Sequence, residues 1–305
     1  MKELTGHRGC PLCGAPADSG VPSVRAKVPA EGLSSEVLAD FFIGFRKEQC
    51  FFTYHRCRQC GMLWNPRYFT DEALGYLYSR MPENVGVSGE RDSARTQAGY
   101  ARILDIAQAS NVDYLELGAD VGFLAREVVR TRGVRSADAV EPNLDVHNEL
   151  LANLGPVGRI YTDLIEVSSD PRYDVVTAIH VLDHLLEPKR TLLGIADRLR
   201  DEGRLLIVVH DESSLLRKTL GRKWAPFCLQ HPQLFRSETL MRLLTSCGYQ
   251  VSAQVKTTNW LSLRQAGALA ASVGFLPSGF SKILPDLSVP LKLGNVAVLA
   301  IRGQL

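Results

Sequence analysis

From about residue 95 the chain alternates between helix-spaced apolar positions and short, nearly continuous apolar runs. This is the pattern of strands buried on both faces between covering helices. Tyr100 to Ala109 carries helical spacing, Val112 to Leu117 reads as a strand, Phe123 to Thr131 as a helix, and Ser136 to Val140 as a second strand. Late in the chain, Gln250 to Thr257 and Asn295 to Ile301 read as strands, with an apolar helix over Gln265 to Val273 between them. The pattern implies a doubly wound α/β domain.

Before residue 80 the pattern is different. Phe51-Phe-Thr-Tyr54 reads as a strand, and the stretch from Met62 through Tyr78 is aromatic and ends in a short helix. The polar, glycine-containing stretch from Arg80 to Ser93 reads as a loop or linker. The expected organisation is a small module over 1–79, a linker or lid over 80–94, and the α/β domain over 95–305.

Bulk properties narrow this picture only slightly. A chain of 305 residues suits one large domain with an appendage, and 45% hydrophobic residues are enough for a sizeable core. The net charge of +2 offers no broad basic surface for nucleic acid. The N-terminus lacks the apolar core of a signal peptide, and the most apolar stretch, Ala266 to Leu276, is too short to span a bilayer. The expectation is a cytoplasmic protein without membrane contact. In a reducing compartment its seven cysteines point to metal ligation rather than to disulfides.

Cys10-Pro-Leu-Cys13-Gly14 and Cys57-Arg-Gln-Cys60-Gly61 are two matched CxxC turns. Each turns two thiolates toward one ion, and the glycine that follows accepts the positive φ such a turn requires. Four thiolates close a tetrahedral sphere, so the reading is a structural zinc held by Cys10, Cys13, Cys57 and Cys60, with His55 a neighbour rather than a ligand. Cys50, Cys228 and Cys247 read as buried small apolar residues.

The segment Glu116-Leu-Gly-Ala-Asp-Val-Gly122 joins the first strand to its helix, where glycines let a cofactor approach the backbone. Glu141, about 20 residues further on at the end of the second strand, is placed to accept both ribose hydroxyls. The GxxxG spacing is not that of a nicotinamide dehydrogenase. VDYLELGADVG followed by AVEPN resembles instead the first two motifs of the class I S-adenosylmethionine-dependent methyltransferases. Tyr161-Thr-Asp163-Leu164 is similar to the family's adenine-contacting acidic motif, and Tyr173 to Ile179 to its fourth strand. His180-Val-Leu-Asp183-His184-Leu-Leu-Glu187-Pro188 is similar to its "hVLEHhxxP" pattern, with Asp for Glu. Gly203 to Val209 is similar to the fifth strand, and the stretch from His231 to Tyr249 to a later shared segment. The two cysteine knuckles resemble those of a zinc-ribbon subgroup that includes sugar C-methyltransferases.

The resemblance implies a Rossmann-like, doubly wound seven-stranded sheet with a small N-terminal zinc-ribbon module. S-adenosylmethionine would be the cofactor and S-adenosylhomocysteine the product. Carried over position by position, the cofactor residues are Glu116, Gly118, Asp120, Gly122, Glu141, Pro142, Asn143, Asp163, Leu164 and His180. The chain departs from the family at Gly118-Ala-Asp-Val-Gly122, where the middle glycine of "GxGxG" is missing. Asp120 then either meets the cofactor amino group or faces solvent. The chain is also expected to lack the long C-terminal domain of full-length sugar C-methyltransferases.

Methyl transfer needs an acceptor aligned with the methyl group, and a base where the acceptor must lose a proton. Strand four ends near Ile179, which puts His180, Asp183 and His184 at the crevice. His184 is the first choice for the base and Asp183 the second, while His210 and Asp211, at the end of strand five on the same crevice, are candidate acceptor ligands, His210 also a further catalytic candidate. The competing structural reading has Asp183 capping the following helix and His184 packing beneath the cofactor. His231 joins the group if 212–230 folds over as a lid, with Trp224 and Phe227 either walling the acceptor or simply buried.

The expected activity is methyl transfer to a small-molecule acceptor such as a nucleotide-linked sugar or a natural-product intermediate. A ribosomal RNA methyltransferase is the alternative, since such enzymes also carry an N-terminal "CPLC" zinc module. A non-catalytic binding or assembly protein on the same fold is the third reading. Acceptor, methylated atom and oligomeric state stay open.

Overall fold

The computed structural model describes residues 4–42, 49–79, 89–104, 111–277 and 279–303. Its centre is a seven-stranded sheet of β1 (Val112–Leu117), β2 (Val134–Val140), β3 (Gly158–Tyr161), β4 (Tyr173–Ile179), β5 (Leu199–His210), β6 (Tyr249–Lys256) and β7 (Asn295–Arg302). The order is β3-β2-β1-β4-β5-β7-β6. The first five strands run parallel and β7 runs antiparallel to both of its neighbours. Strand β4 shows why the sheet must be covered twice. Val176 and Ala178 face one core with the helices Pro188–Arg198 and Ser237–Ser246, while Val175 and Ile179 face another with Glu90–Ile103, Phe123–Arg132 and His147–Leu154. Alternate residues enter opposite layers, and both layers are apolar.

The order reverses direction at β1/β4, the switch point where open α/β sheets bind ligands. Register sets what stands there. Leu117 pairs with Val140 and with Ala178, and Ile179 pairs with Val208. Gly118, Glu141 and His180 therefore leave the sheet side by side at its C-terminal edge. His210 pairs with Asn295 across the antiparallel β5–β7 ladder.

The cysteine module is not a separate bead. Leu63–Trp64 pairs on one side with Tyr54–Cys57 and on the other with Gln233–Leu234, so residues from the far end of the α/β domain supply the last strand of the module's four-stranded sheet. Trp224 and Phe227 pack with Phe51, Tyr54 and Leu63 in one apolar cluster. The buried hydroxyls of Tyr54 and Tyr68 donate to the carbonyls of His231 (2.7 Å) and Leu229. Glu212 accepts from Arg56 at 2.5 and 3.0 Å and from Arg236 at 2.8 Å. Although burial opposes its charge, the two guanidiniums hold its carboxyl below the ordinary glutamate range. Segment 212–230 is thus fastened against the module.

The helix expected from Tyr100 begins earlier, at Glu90, so the described part of the expected linker is Gly89 followed by helix. Residues 80–88 of that linker, and 105–109 of the expected helix, lie outside the described residues. Apart from β3, which no sequence pattern marked, the sheet strands and the Leu263–Ser272 helix fall where expected, within four residues at their ends. No helix among the described residues is long and apolar enough to cross a membrane.

Candidate active site and cysteine centre

At the β1–β2 end the backbone does most of the positioning. Gly118 and Gly122 take φ of 64° and 84°. A Cβ on Gly118 would meet Val181 Cγ2 at 2.7 Å, so only glycine lets the loop lie against the residue after His180. Asp120, at the position of the missing middle glycine, has φ of 49°. Aspartate is one of the few residues that enters this region readily, and the loop keeps a glycine-like course without the glycine.

Glu141 is buried at the edge, its Oε2 accepting from the Asp120 amide at 2.8 Å and its Oε1 from the Asn143 amide at 2.9 Å. These two bonds hold the carboxylate across the loop. Desolvation and the nearby Glu141 charge keep the Asp120 carboxyl above its ordinary range. Glu116 lies beneath the loop, accepting from the Tyr114 hydroxyl at 2.9 Å, and burial pushes its carboxyl up to about 8.

On the following turns, Asp163 is exposed and its Oδ1 accepts from the Ile165 amide at 2.9 Å. Pro142 is exposed, Asn143 half-buried, and the Leu164 side chain turns inward to the core. Leu144 and Ile165, neither singled out by sequence pattern, are 67% and 77% exposed on the turns after β2 and β3. Apolar side chains left in solvent beside Glu141 and Asp163 are suited to the faces of a flat base.

At the β4–β5 end four histidines converge. The His180 and His210 rings stack at 4.4 Å, His184 and His231 meet edge-on at 4.6 Å, and His210 and His231 lie 5.2 Å apart. His231 is therefore brought into the site by the fold of 212–230. Trp224 and Phe227 are buried, with Trp224 edge-on to His210 at 6.1 Å.

Hydrogen bonds fix the ring tautomers. The Pro226 carbonyl can only accept, so His231 Nδ1 carries the proton (2.7 Å), and His231 Nε2 accepts from His184 Nε2–H at 3.3 Å. His210 Nδ1 donates to Asn295 Oδ1 at 2.9 Å. Asn295, whose amide also donates to Asn259 Oδ1 at 3.1 Å, was invisible as a site residue because its position follows only from the β5–β7 register.

Asp183 does not cap the next helix. That helix begins at Pro188 after Glu187, while Asp183 Oδ2 accepts from the His210 amide at 3.1 Å and ties β4 to β5. Burial drives these groups toward neutrality: the Asp183 carboxyl is pushed up to about 8, His180 and His231 down to about 4, and His184 and His210 well below the ordinary histidine value. His180 itself has φ of 55°, a strained backbone for a residue with a Cβ. Asp211, by contrast, is turned away into a local turn with Ser213.

In the N-terminal module the four cysteines expected to share an ion are brought together. Cys10 and Cys60 Sγ lie 3.4 Å apart, Cys13 and Cys57 Sγ 3.6 Å, and all four fall within 4.8 Å of one another. A tetrahedral zinc with bonds of about 2.3 Å separates its sulfurs by about 3.8 Å, so the set fits that ion. Gly14 and Gly61 take φ of 72° and 76°, and their amides close the turns onto Cys10 and Cys57 carbonyls. His55 is not in the cluster and packs against Trp64. Cys50, Cys228 and Cys247 are buried.

A family model described as a methyltransferase domain matches residues 89–254. By that match the chain belongs to the methyltransferase-domain family. Among solved structures it is similar to an S-adenosylmethionine-dependent methyltransferase from Clostridium acetobutylicum, with 10% identity over 69% of this chain and 92% of that one, TM-score 0.48. It is also similar to magnesium protoporphyrin IX methyltransferase from Synechocystis bound to S-adenosylhomocysteine, with 14% identity over 70% of this chain and 84% of that one, TM-score 0.47. No curated protein matches the chain.

Proposed function

We propose that the enzyme methylates a small-molecule acceptor held between the cofactor loop and the histidine cluster, with nucleotide-linked sugars and natural-product intermediates the first class to test. The observation that carries this reading is the convergence of His180, His184, His210 and His231 at the sheet edge, beside Gly118 and beneath the Trp224–Phe227 segment. That segment is packed against the N-terminal module through Phe51, Tyr54 and Leu63.

S-adenosylmethionine, when bound, supplies an electrophilic methyl group on a sulfonium. Glu141 would hold its ribose hydroxyls, Asp120 its amino group, and Asp163 with the Ile165 and Leu144 side chains its adenine. Gly118 and Gly122 would give backbone access, and His180 would close the methionine end. Glu116 would act one layer down, by bracing the loop. His184 is the candidate base. Its Nε2–H is committed to His231, which leaves the lone pair on Nδ1 to take an acceptor proton.

The cysteine cluster would hold a structural zinc. Its fit to a closed tetrahedral site, and the strand it shares with Gln233–Leu234, support a role in fixing the 212–230 segment rather than in chemistry.

The test is methyl transfer from labelled S-adenosylmethionine to a panel of nucleotide sugars, small hydroxylated natural products and ribosomal RNA. Product from a small acceptor that falls at least 100-fold in His184→Ala is expected. Transfer to RNA alone would overturn the acceptor reading.

A further inference from the structure

We propose that His180, Asp183 and His210 form a binding site for one divalent transition-metal ion, distinct from the cysteine cluster. One ligand atom from each of the three residues lies within 4.8 Å of the others. Asp183 is 0% exposed, and while its Oδ2 takes the His210 amide, its Oδ1 is buried without a partner. His180 Nδ1 is likewise buried and unpartnered, while its Nε2 meets the Asn295 amide at 3.5 Å, so an ion bound at Nδ1 would displace the ring proton from that nitrogen. Orphaned polar atoms of this kind are costly and rare, and two of them from one three-residue cluster call for a common partner.

The surroundings are arranged as for a ligand set. Asn295 Oδ1 accepts from His210 Nδ1–H and so leaves the lone pair on His210 Nε2, the outer hydrogen bond that ligating histidines characteristically make. The His184 and His231 pair stands beside the set, joined to each other through Nε2. Two imidazoles and one carboxylate suit zinc, manganese, iron or cobalt rather than calcium or magnesium. Three protein ligands leave coordination positions open for water or an acceptor oxygen. Resting on the methyl-transfer reading, this names the acceptor class as one with a hydroxyl or enolic oxygen at, or adjacent to, the methylated atom.

The test uses the full chain, stripped with chelator and titrated with Co²⁺ by absorption spectroscopy, with bound metal counted by mass spectrometry. The wild type is expected to show thiolate charge transfer from the cysteine cluster and a second component with ligand-field bands of nitrogen and oxygen ligation. His210→Gln and Asp183→Asn should each weaken the second component about 100-fold, and Asn295→Ala about 10-fold, leaving the thiolate component intact. A wild type with the thiolate component alone, or variants that titrate like wild type, would overturn the site. Should a variant not fold, X-ray absorption of the cobalt-loaded wild type decides: nitrogen and oxygen scatterers alongside sulfur support the site, and sulfur alone overturns it. S-adenosylhomocysteine titrated into the same samples separates the two proposals. Cobalt at the histidines without S-adenosylhomocysteine binding removes the cofactor reading and keeps the metal site, and the reverse removes only the site.

Discussion

The two ends of the sheet's C-terminal edge are built in different ways. At the β1–β2 end, Glu141 is held by the amides of Asp120 and Asn143, residues close to it in sequence or one loop away. Its carboxylate has partners before any ligand arrives. At the β4–β5 end the site is assembled from His180, His210, His231 and Asn295, which come from four separate segments, and Asp183 Oδ1 and His180 Nδ1 are left unpartnered. The first end is a local backbone device, and the second exists only once the whole fold has closed. Perturbing long-range contacts should therefore damage the histidine end first, and perturbing backbone geometry should damage the cofactor end.

The largest effect is expected from Glu212→Ala. It leaves Arg56 and Arg236 facing each other without their buried partner, at a cost of about 3–4 kcal/mol, read as a lowered denaturation midpoint. A loss below 1 kcal/mol would show that the module is not what fastens 212–230.

Gly118→Ala should come next, at about 2–3 kcal/mol, because it combines the positive φ with the contact on Val181. Unlike Glu212→Ala, it should weaken cofactor binding in protein that remains folded, as calorimetry would reveal.

Glu116 sharpens the comparison through pH. Its folded carboxyl, near 8, lies above its unfolded value, so its contribution is complete below the unfolded value and is lost as pH rises through about 8. Wild-type stability should fall between pH 5 and pH 8, and Glu116→Gln should flatten that fall. Parallel profiles would mean that Glu116 is not the group titrating.

The smallest effect is expected from Tyr54→Phe. The His231 carbonyl loses one donor but keeps Asn65 Nδ2 at 3.2 Å, so the cost should be about 1 kcal/mol. A much larger loss in thermal melts would show that the hydroxyl, rather than the strand pairing, seats His231.

The same contrast explains what the sequence could reveal. The cysteine knuckles, the glycine loop and Glu141 were legible because each depends on spacing within one turn or one strand–turn–helix unit. The backbone role of Asp120 was half legible: the missing glycine was plain, but that aspartate would adopt its φ was not. His231 could be placed only conditionally, and Asn295 not at all, because both reach the site through register and through a segment folded back onto the module. Asp183 departs from its local pattern. A helix cap is the local expectation for an aspartate before a helix, and the tie to the β5 backbone overrode it. Leu144 and Ile165 carried no signal, since an isolated apolar residue on a turn is ordinary until its exposure is known.

The central claim is that Glu141 anchors the cofactor at the locally built end. Calorimetric titration of S-adenosylmethionine into wild type and Glu141→Ala tests it most directly. The expected result is saturable one-site binding by the wild type and at least a 100-fold loss in the variant at a similar melting temperature, the scale of a lost charge-assisted hydrogen-bond pair, about 3 kcal/mol. Equal affinity in the two proteins, or no binding by folded wild type, would contradict it.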